Sequence, residues 1–390
     1  MVDDGLQAQL ALAVADGADS IVTALALSQR LGELRGGPEA VRLVVQGPPG
    51  GGGSTWGARL AAALEGRAGR GHSAALVAFE RTGGYWCILE ALSDARGLDP
   101  PTRRAFYAQF DDAALHAALL ASLAARGGPA DAVVRRCTRN LARSSELRGP
   151  LRPAVPALVE DLADGALAPE AAAALCNVAC HSENKEQAVE CGAVRNVVLQ
   201  LGRPGQPAEA SEDLVACLGV LTGGFEKGLA ALFEVAVVEG RQKVFAPLFA
   251  LLQAGGGSSA TLQCMVLDVV GGLCAASPQF KAWAIQETPV VKTELPQMLR
   301  SDAAEVRAAA LELAGMLVDA DGFVEVFQRA NGVSALQSVL EQDGPRGGGA
   351  GASGPLQFMA PAMPSGGMGG RRAPTQREMA QYLLSKILIL

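Results

Sequence analysis

The feature that most constrains this fold is a helical pattern that returns along the chain about every 40 residues. Its clearest copy runs from Leu167 to Leu201 and reads LAPEAAAALCNVACHSENKEQAVECGAVRNVVLQL. Small and apolar residues at three- and four-residue steps predict a helix that ends near Ala179, and a shorter helix follows. Gly192 then lets the chain turn sharply, and a new apolar stripe begins at Val194. Each copy is therefore a helix, a short helix, a corner and an apolar helix.

Other copies can be aligned on the position that Asn177 occupies. We name this position the slot, and the helix that carries it the slot helix. The slots are occupied by Asn140, Asn177, Gly219, Gly272 and Gly315. They predict five copies between about residues 131 and 343, with an insertion near 254–259. A single copy cannot bury its apolar stripe alone, so we expect the copies to stack into one continuous array.

The motifs in the clearest copy resemble the armadillo repeat. The matching segments are Leu175-Cys-Asn177-Val-Ala179, Glu183-Asn184 and Glu190-Cys-Gly192-Ala-Val194. The resemblance implies an all-α, right-handed α-solenoid of armadillo-like three-helix repeats. It also implies that the slot helices line a concave groove, in which slot asparagines bind the backbone of an extended peptide. The nuclear-import carriers of the family have a tryptophan one turn before the slot, but Arg136 and Ala173 stand there, which favours another type of partner.

The composition favours a helical fold and limits the class of partner that the protein is expected to bind. Aromatic residues make up only 4% of a chain that is 49% hydrophobic, which favours closely packed helices over β-sandwiches. The formal net charge of −7 argues against general electrostatic binding of nucleic acid. We therefore expect a protein partner, and a basic one.

The periodicity divides the chain into four predicted parts. Residues 1–130 form divergent amino-terminal helical repeats or a cap with a Gly-rich insertion, and residues 131–343 form the armadillo-like array. Residues 344–374 are rich in glycine and proline and are predicted to be disordered. Residues 375–390 form an amphipathic helix with Thr375 as N-cap and with Met379, Tyr382, Leu383, Lys386, Ile387 and Leu390 on one face. That helix is predicted to dock in cis or in trans.

Neither a membrane span nor a secretory signal is predicted. No run reaches the roughly 18 consecutive apolar residues of a transmembrane helix. The first residues are acidic, unlike a transit peptide, and the eight cysteines lie mostly within apolar helical patterns. These features predict a cytoplasmic protein with reduced thiols, and a nuclear or ciliary location as the alternatives.

Two patterns suggest chemistry, and each has a simpler interpretation. Residues 41–65 contain a glycine loop that ends in Ser54-Thr55, similar to a phosphate-binding loop, but Gly53 stands where the lysine is needed. The simpler interpretation is a Gly-rich insertion. Cys176, Cys180, His181 and Cys191 could suggest zinc, yet no paired C-x-x-C spacing exists, and buried free cysteines explain them better. We predict no cofactor, no metal and no enzymatic activity.

The predicted function is that of a non-catalytic scaffold or adaptor that binds a partner protein in the groove. The alternatives are a degenerate P-loop-like nucleotide-binding protein using residues 41–65, a chaperone cofactor and a component of a cilium or the cytoskeleton. The resemblance implies that the slot residues Asn140 and Asn177 line the groove. Helical spacing adds these candidate groove residues near the same face: Arg136, Glu170, Glu212, Asp268 and Glu312.

Overall fold

A computed structural model of the protein describes residues 113–127, 131–253, 258–342 and 374–389, with isolated positions Glu90, Arg104, Tyr107, Ala108 and Asp111. The described residues form α-helices with short 3₁₀ and π segments, and no β-strand is present among them. The all-α class is therefore confirmed. The phosphate-loop-like segment at 41–65 and the Gly/Pro-rich stretch at 344–373 lie outside these ranges.

The chain divides into two compact units, Met1–Cys191 and Gly192–Leu390. The described helices of the first unit are α1 (Ala113–Ala125), α2 (Asp131–Leu141), α3 (Ser145–Arg148), α4 (Val155–Asp161), α5 (Ala168–Val178) and α6 (Ser182–Glu190). A 3₁₀ turn, Arg152–Ala154, leads into α4, and Pro156 lies in the first turn of α4, where no N–H is needed. The two slot helices, α2 and α5, pack directly on each other, and α5 also packs on α4.

The second unit contains α7 (Ala193–Leu201), α8 (Ala208–Thr222), α9 (Glu226–Glu239), α10 (Arg241–Ala250), α11 (Ala260–Ala276) and α12 (Pro278–Gln286). A π-helix, Val290–Glu294, then leads into α13 (Leu295–Met298). The unit continues with α14 (Ala304–Leu317), α15 (Phe323–Arg329), α16 (Gly332–Gln342) and α17 (Gln376–Ile389). The slot helices α8, α11 and α14 pack in succession, and α17 packs against α14 and α16.

Corners between short and apolar helices have the backbone that the sequence predicts. Gly192, at the start of α7, has φ of +88°, in the left-handed region that glycine adopts most easily. Asn331 has φ of +58° before α16, and asparagine tolerates that region better than most residues. Gly332 beside it is required by packing, since a Cβ there would lie 2.3 Å from the Phe327 ring. These corners fix where each apolar helix begins.

Five aromatic residues of the second unit form a cluster in its core, and Phe323 and Phe327 form a separate buried pair. Phe245 on α10 is fully buried, and its ring centroid lies 4.9 Å from that of Phe280 and 5.6 Å from that of Trp283, both on α12. Phe233 and Phe249 complete the cluster. Elsewhere the core is mainly alanine, valine and leucine, which allows neighbouring helices to approach closely.

Among the residues the structure describes, no single helix is long and apolar enough to cross a membrane, although the bent pair α8 and α9 passes a test of length and composition alone.

Candidate functional site

In the first compact unit the slot asparagines bind protein backbone. The Asn177 side-chain amide on α5 donates to the carbonyl oxygen of Arg139 on α2 at 2.9 Å. The Asn140 amide on α2 donates in the same way to the carbonyl oxygen of Glu90 at 3.1 Å. Each slot asparagine thus holds its helix to a carbonyl from an earlier part of the chain. These N–H groups stabilise the array, whereas the resemblance implied bonds to a bound peptide.

Arg136 and Glu170 are brought together as predicted, but with a third residue. The Arg136 guanidinium on α2 lies 2.6 Å from a Glu90 carboxylate oxygen and 3.7 Å from one of Glu170 on α5. Burial lowers the pKa of Arg136, but the two carboxylates outweigh it, so its pKa is raised. All three side chains are half-buried. Arg136 is therefore part of an internal ion-pair network. Sequence reasoning missed Glu90 because 46 residues separate it from Arg136.

In the second unit the candidate acids separate into two places. Glu212 on α8 accepts a hydrogen bond from the Ser259 hydroxyl. Ser259 is also the N-cap of α11, where its side chain accepts from the Leu262 N–H at 3.0 Å. Glu212 thus supports the start of the next slot helix.

Asp268 and Glu312 share an exposed face of α11 and α14, together with Cys264 and Glu305. Burial and the nearby Glu312 charge raise the pKa of Asp268 to about 6. Burial, followed by the charges of Asp268, Glu305 and Glu312, raises the pKa of the Cys264 thiol to about 11. Since α11 and α14 also pack directly on each other, the four groups lie near one another. We call Asp268, Glu305 and Glu312 the acidic face.

Sequence reasoning missed Glu305 and Cys264, although a signal for each was present. Glu305 lies seven residues before Glu312, and Cys264 four before Asp268, so helical periodicity puts each pair on one side of its helix. No arginine or lysine in the described ranges forms an ion pair with the acidic face. Its negative charge is therefore uncompensated in the part of the protein that the structure describes.

At the slots of α8 and α11, the glycines leave the helix surface without a side chain. Gly272 on α11 is exposed, and a Cβ added to it would meet no atom within 4 Å. A Cβ on Gly219 would make only ordinary contact, 3.5 Å from Val269 Cγ2. These two glycines are therefore not needed for close packing. They leave space beside the acidic face in which a backbone could lie.

The cysteine cluster considered for zinc lies along one stretch of the first unit. The Cys180 thiol donates to the Cys176 carbonyl oxygen one turn earlier, at 3.3 Å. The described cysteines are free thiols, and no group of three or more His, Cys, Asp or Glu side chains in the described ranges is placed to hold a metal ion.

Comparison with known proteins identifies the fold. No protein-family model matches the sequence, and no match is found among curated proteins. A designed armadillo repeat protein is 18% identical, with a TM-score of 0.51, over 69% of this chain and 98% of its own. One engineered protein is 16% identical, with a TM-score of 0.54, over 99% of both chains. Another engineered protein is 16% identical, with a TM-score of 0.51, over 70% of this chain and 98% of its own. At such low identity the likeness concerns the fold alone, and the fold of this protein is an armadillo-like helical repeat.

Proposed function

We propose that the protein is a non-catalytic scaffold or adaptor that binds a basic segment of a partner protein on the slot helices of its second compact unit. The observation that carries this proposal is the acidic face of α11 and α14, where three carboxylates lie without a cation in the described residues. Repeat folds of this kind bind proteins through extended exposed surfaces.

The choice of the second unit follows from what the candidate residues of the first unit contact. There, Arg136, Glu170 and Asn177 are engaged with Glu90 or with the carbonyl of Arg139. A partner would have to break those contacts before it could use the same groups. The acidic face requires no such exchange.

A basic partner is supported by the electrostatics of Asp268. Burial, and then the neighbouring Glu312 charge, disfavour the charged form of Asp268 and raise its pKa. A lysine or arginine placed there would offset both effects. The open space at Gly272 would allow the backbone that carries this cation to approach α11.

The acids and small residues of the acidic face and its neighbouring slots support binding. The nucleotide-binding interpretation of residues 41–65 remains a prediction from sequence, since that segment lies outside the described residues. The same holds for the chaperone-cofactor role and for cytoplasmic, nuclear or ciliary location.

Replacing Glu312 with lysine is expected to weaken binding of a basic probe by about tenfold or more, because a carboxylate becomes a cation at contact distance. The probe is a fluorescent peptide of alternating arginine and glycine, titrated by anisotropy at low salt. The control is Glu234→Lys, an exposed position on α9 that makes the same change in net charge. If both variants lose the same affinity, attraction by overall charge explains binding and the acidic face is not the site.

Binding of the same probe is expected to weaken as the pH falls from about 7.5 to about 5. Asp268 has a pKa raised to about 6, so it is charged at the upper pH and protonated at the lower one. The loss of one charge is worth about 1 kcal/mol, or about fivefold in affinity. The guanidinium groups of the probe do not titrate in this range. Asp268→Asn should bind weakly at both values, and a variant that keeps the full pH dependence would contradict the role of Asp268.

A further inference from the structure

The last helix, α17, packs as a slot helix but is joined to the array differently. The slot helices α8, α11 and α14 follow the preceding helix after six, nine and five residues, namely 202–207, 251–259 and 299–303. Thirty-three residues, 343–375, separate α16 from α17. Even so, α17 packs against α14 and α16, as the next slot helix of the array would. Its position is therefore set by the docking contact and not by a short connection.

A narrow apolar stripe makes that contact. Ala380, Leu383 and Ile387 are fully buried, and their spacing places them on one side of α17. On α14, Met379 lies beside Gly315, where an added Cβ would make ordinary contact with the Met379 sulfur at 3.8 Å. We call the surface of α14 and α16 that receives this stripe the seam.

The polar contacts of α17 with the array mostly involve backbone carbonyls. Near the start of α17, the Gln376 side chain donates to the carbonyl oxygen of Ala304 at 2.8 Å. Gln328 donates to the carbonyl oxygen of Ile387 at 3.1 Å, near the end of α17, and any helix of suitable length offers such a carbonyl. The Lys386 ammonium lies 3.1 Å from an Asp319 oxygen, with both side chains well exposed, so this pair contributes little. The seam thus recognises a helix mainly by its apolar spacing, a feature that another helix could supply.

The long connection before α17 also affects how strongly α17 competes with another helix for the seam. Effective concentration falls with the number of residues in a connection, and thirty-three residues precede α17 where five to nine precede the slot helices. A helix from another protein therefore faces less competition at the seam than it would at any slot helix with a short connection.

We propose that the seam is a docking site for an amphipathic helix of a partner protein, and that α17 is a competing occupant supplied by the chain itself. The partner helix would carry a small apolar residue and two larger apolar residues at the spacing of Ala380, Leu383 and Ile387. A cation at the position of Lys386 would meet Asp319. The seam and the acidic face both involve α14 but are formed by different residues, and this inference does not depend on the function proposed above.

The test uses the full chain with Leu383→Asp, which removes the central buried residue of α17, and a fluorescent peptide of residues 374–390 as the probe. The peptide is expected to bind this variant at least about tenfold more tightly than it binds the wild-type chain, whose seam is occupied. A peptide that itself carries Leu383→Asp should bind neither. Equal binding of the unchanged peptide to the two chains would overturn the proposal.

Ser385→Asp is the matched control, because Ser385 is exposed on the same helix, and this chain should bind the peptide as weakly as wild type does. Hydrogen exchange on the wild-type chain gives a second measurement. It tests whether α17 leaves the seam even if Leu383→Asp unfolds more of the chain than α17. The amides of α17 should exchange at least about tenfold faster than those of α14. If α17 and α14 were equally protected, α17 would be a permanent part of the array. If the chain formed a concentration-dependent dimer by exchanging α17, the seam would bind a second copy of the chain. Either result would overturn the partner assignment.

Discussion

Replacing Val194 with aspartate is expected to unfold the second compact unit at moderate urea concentrations. Val194 is 1% exposed and lies in the first turn of α7, a helix that packs against α8, α9 and α10. A carboxylate there must either remain charged without a partner or take up a proton, and each choice costs several kcal/mol. The favourable interaction with the amino end of α7, about 1 kcal/mol at most, does not compensate. We expect the free energy of unfolding to fall by about 4 kcal/mol or more, measured by circular dichroism in urea.

Arg195→Asp is the control for Val194→Asp, since it places the same side chain one residue further along α7 at an exposed position. It removes the ion pair of Arg195 with Glu239, 2.9 Å apart, and should cost about 1 kcal/mol. If the two variants unfold at the same urea concentration, α7 does not bury its apolar stripe, and the stacked-repeat arrangement of this unit is wrong.

The sequence predicted the helices well where their local signals, such as apolar spacing, a corner glycine or an N-cap, are clear. The repeat copy from Leu167 to Leu201 forms α5, α6 and α7 almost at the predicted ends, with Gly192 in the left-handed region. All five slot residues lie within helices. Thr375 caps α17 as expected, because its hydroxyl accepts from the Glu378 N–H at 3.2 Å. These features depend on neighbours within four residues, which a sequence displays directly.

Contacts between helices were much less visible in the sequence. Helical spacing indicated that Arg136 and Glu170 share a face, but it could not show that Glu90 joins them from 46 residues away. The face of α17 was also predicted partly wrongly. Tyr382 was placed on the apolar side but is 46% exposed, and Lys386 lies over its ring, 5.8 Å from the centroid. The stripe is centred instead on Ala380, Leu383 and Ile387, because α14 and α16 fix which side is covered.

The contacts of the slot residues within the protein were not visible in the sequence, and peptide binding by the slot asparagines stays a prediction. The resemblance implied peptide binding by slot asparagines, yet Asn177 and Asn140 bind carbonyls of the protein itself. Where the slot is glycine, at Gly219 and Gly272, the chain has no side-chain amide to offer, and the nearby groups are acids. The residue types at the slots were plain from sequence, whereas their bonding partners required the packing of one helix on another.

Removing the Asp161 carboxylate is expected to produce the other large loss of stability, this time in the first compact unit. Arg135 on α2 is fully buried, and its guanidinium lies 2.7 and 2.9 Å from the Asp161 carboxylate at the end of α4, which is 1% exposed. In Asp161→Ala the Arg135 charge would keep only Asp131, whose carboxylate is 3.5 Å away. Breaking a buried pair in this way typically costs about 3 to 5 kcal/mol, and we expect a loss of that size in urea unfolding.

The double variant Arg135→Met/Asp161→Leu separates the cost of an unpaired charge from the worth of the pair. Burial, with a smaller effect of Asp131, raises the pKa of Asp161 despite the opposing effects of Arg135 and of Arg126, which lies 3.4 Å away. An apolar pair of similar volume should therefore restore stability to within about 1 kcal/mol of wild type, or above it. If the double variant is as unstable as Asp161→Ala, the ion pair itself holds α2 to α4 and packing alone does not suffice.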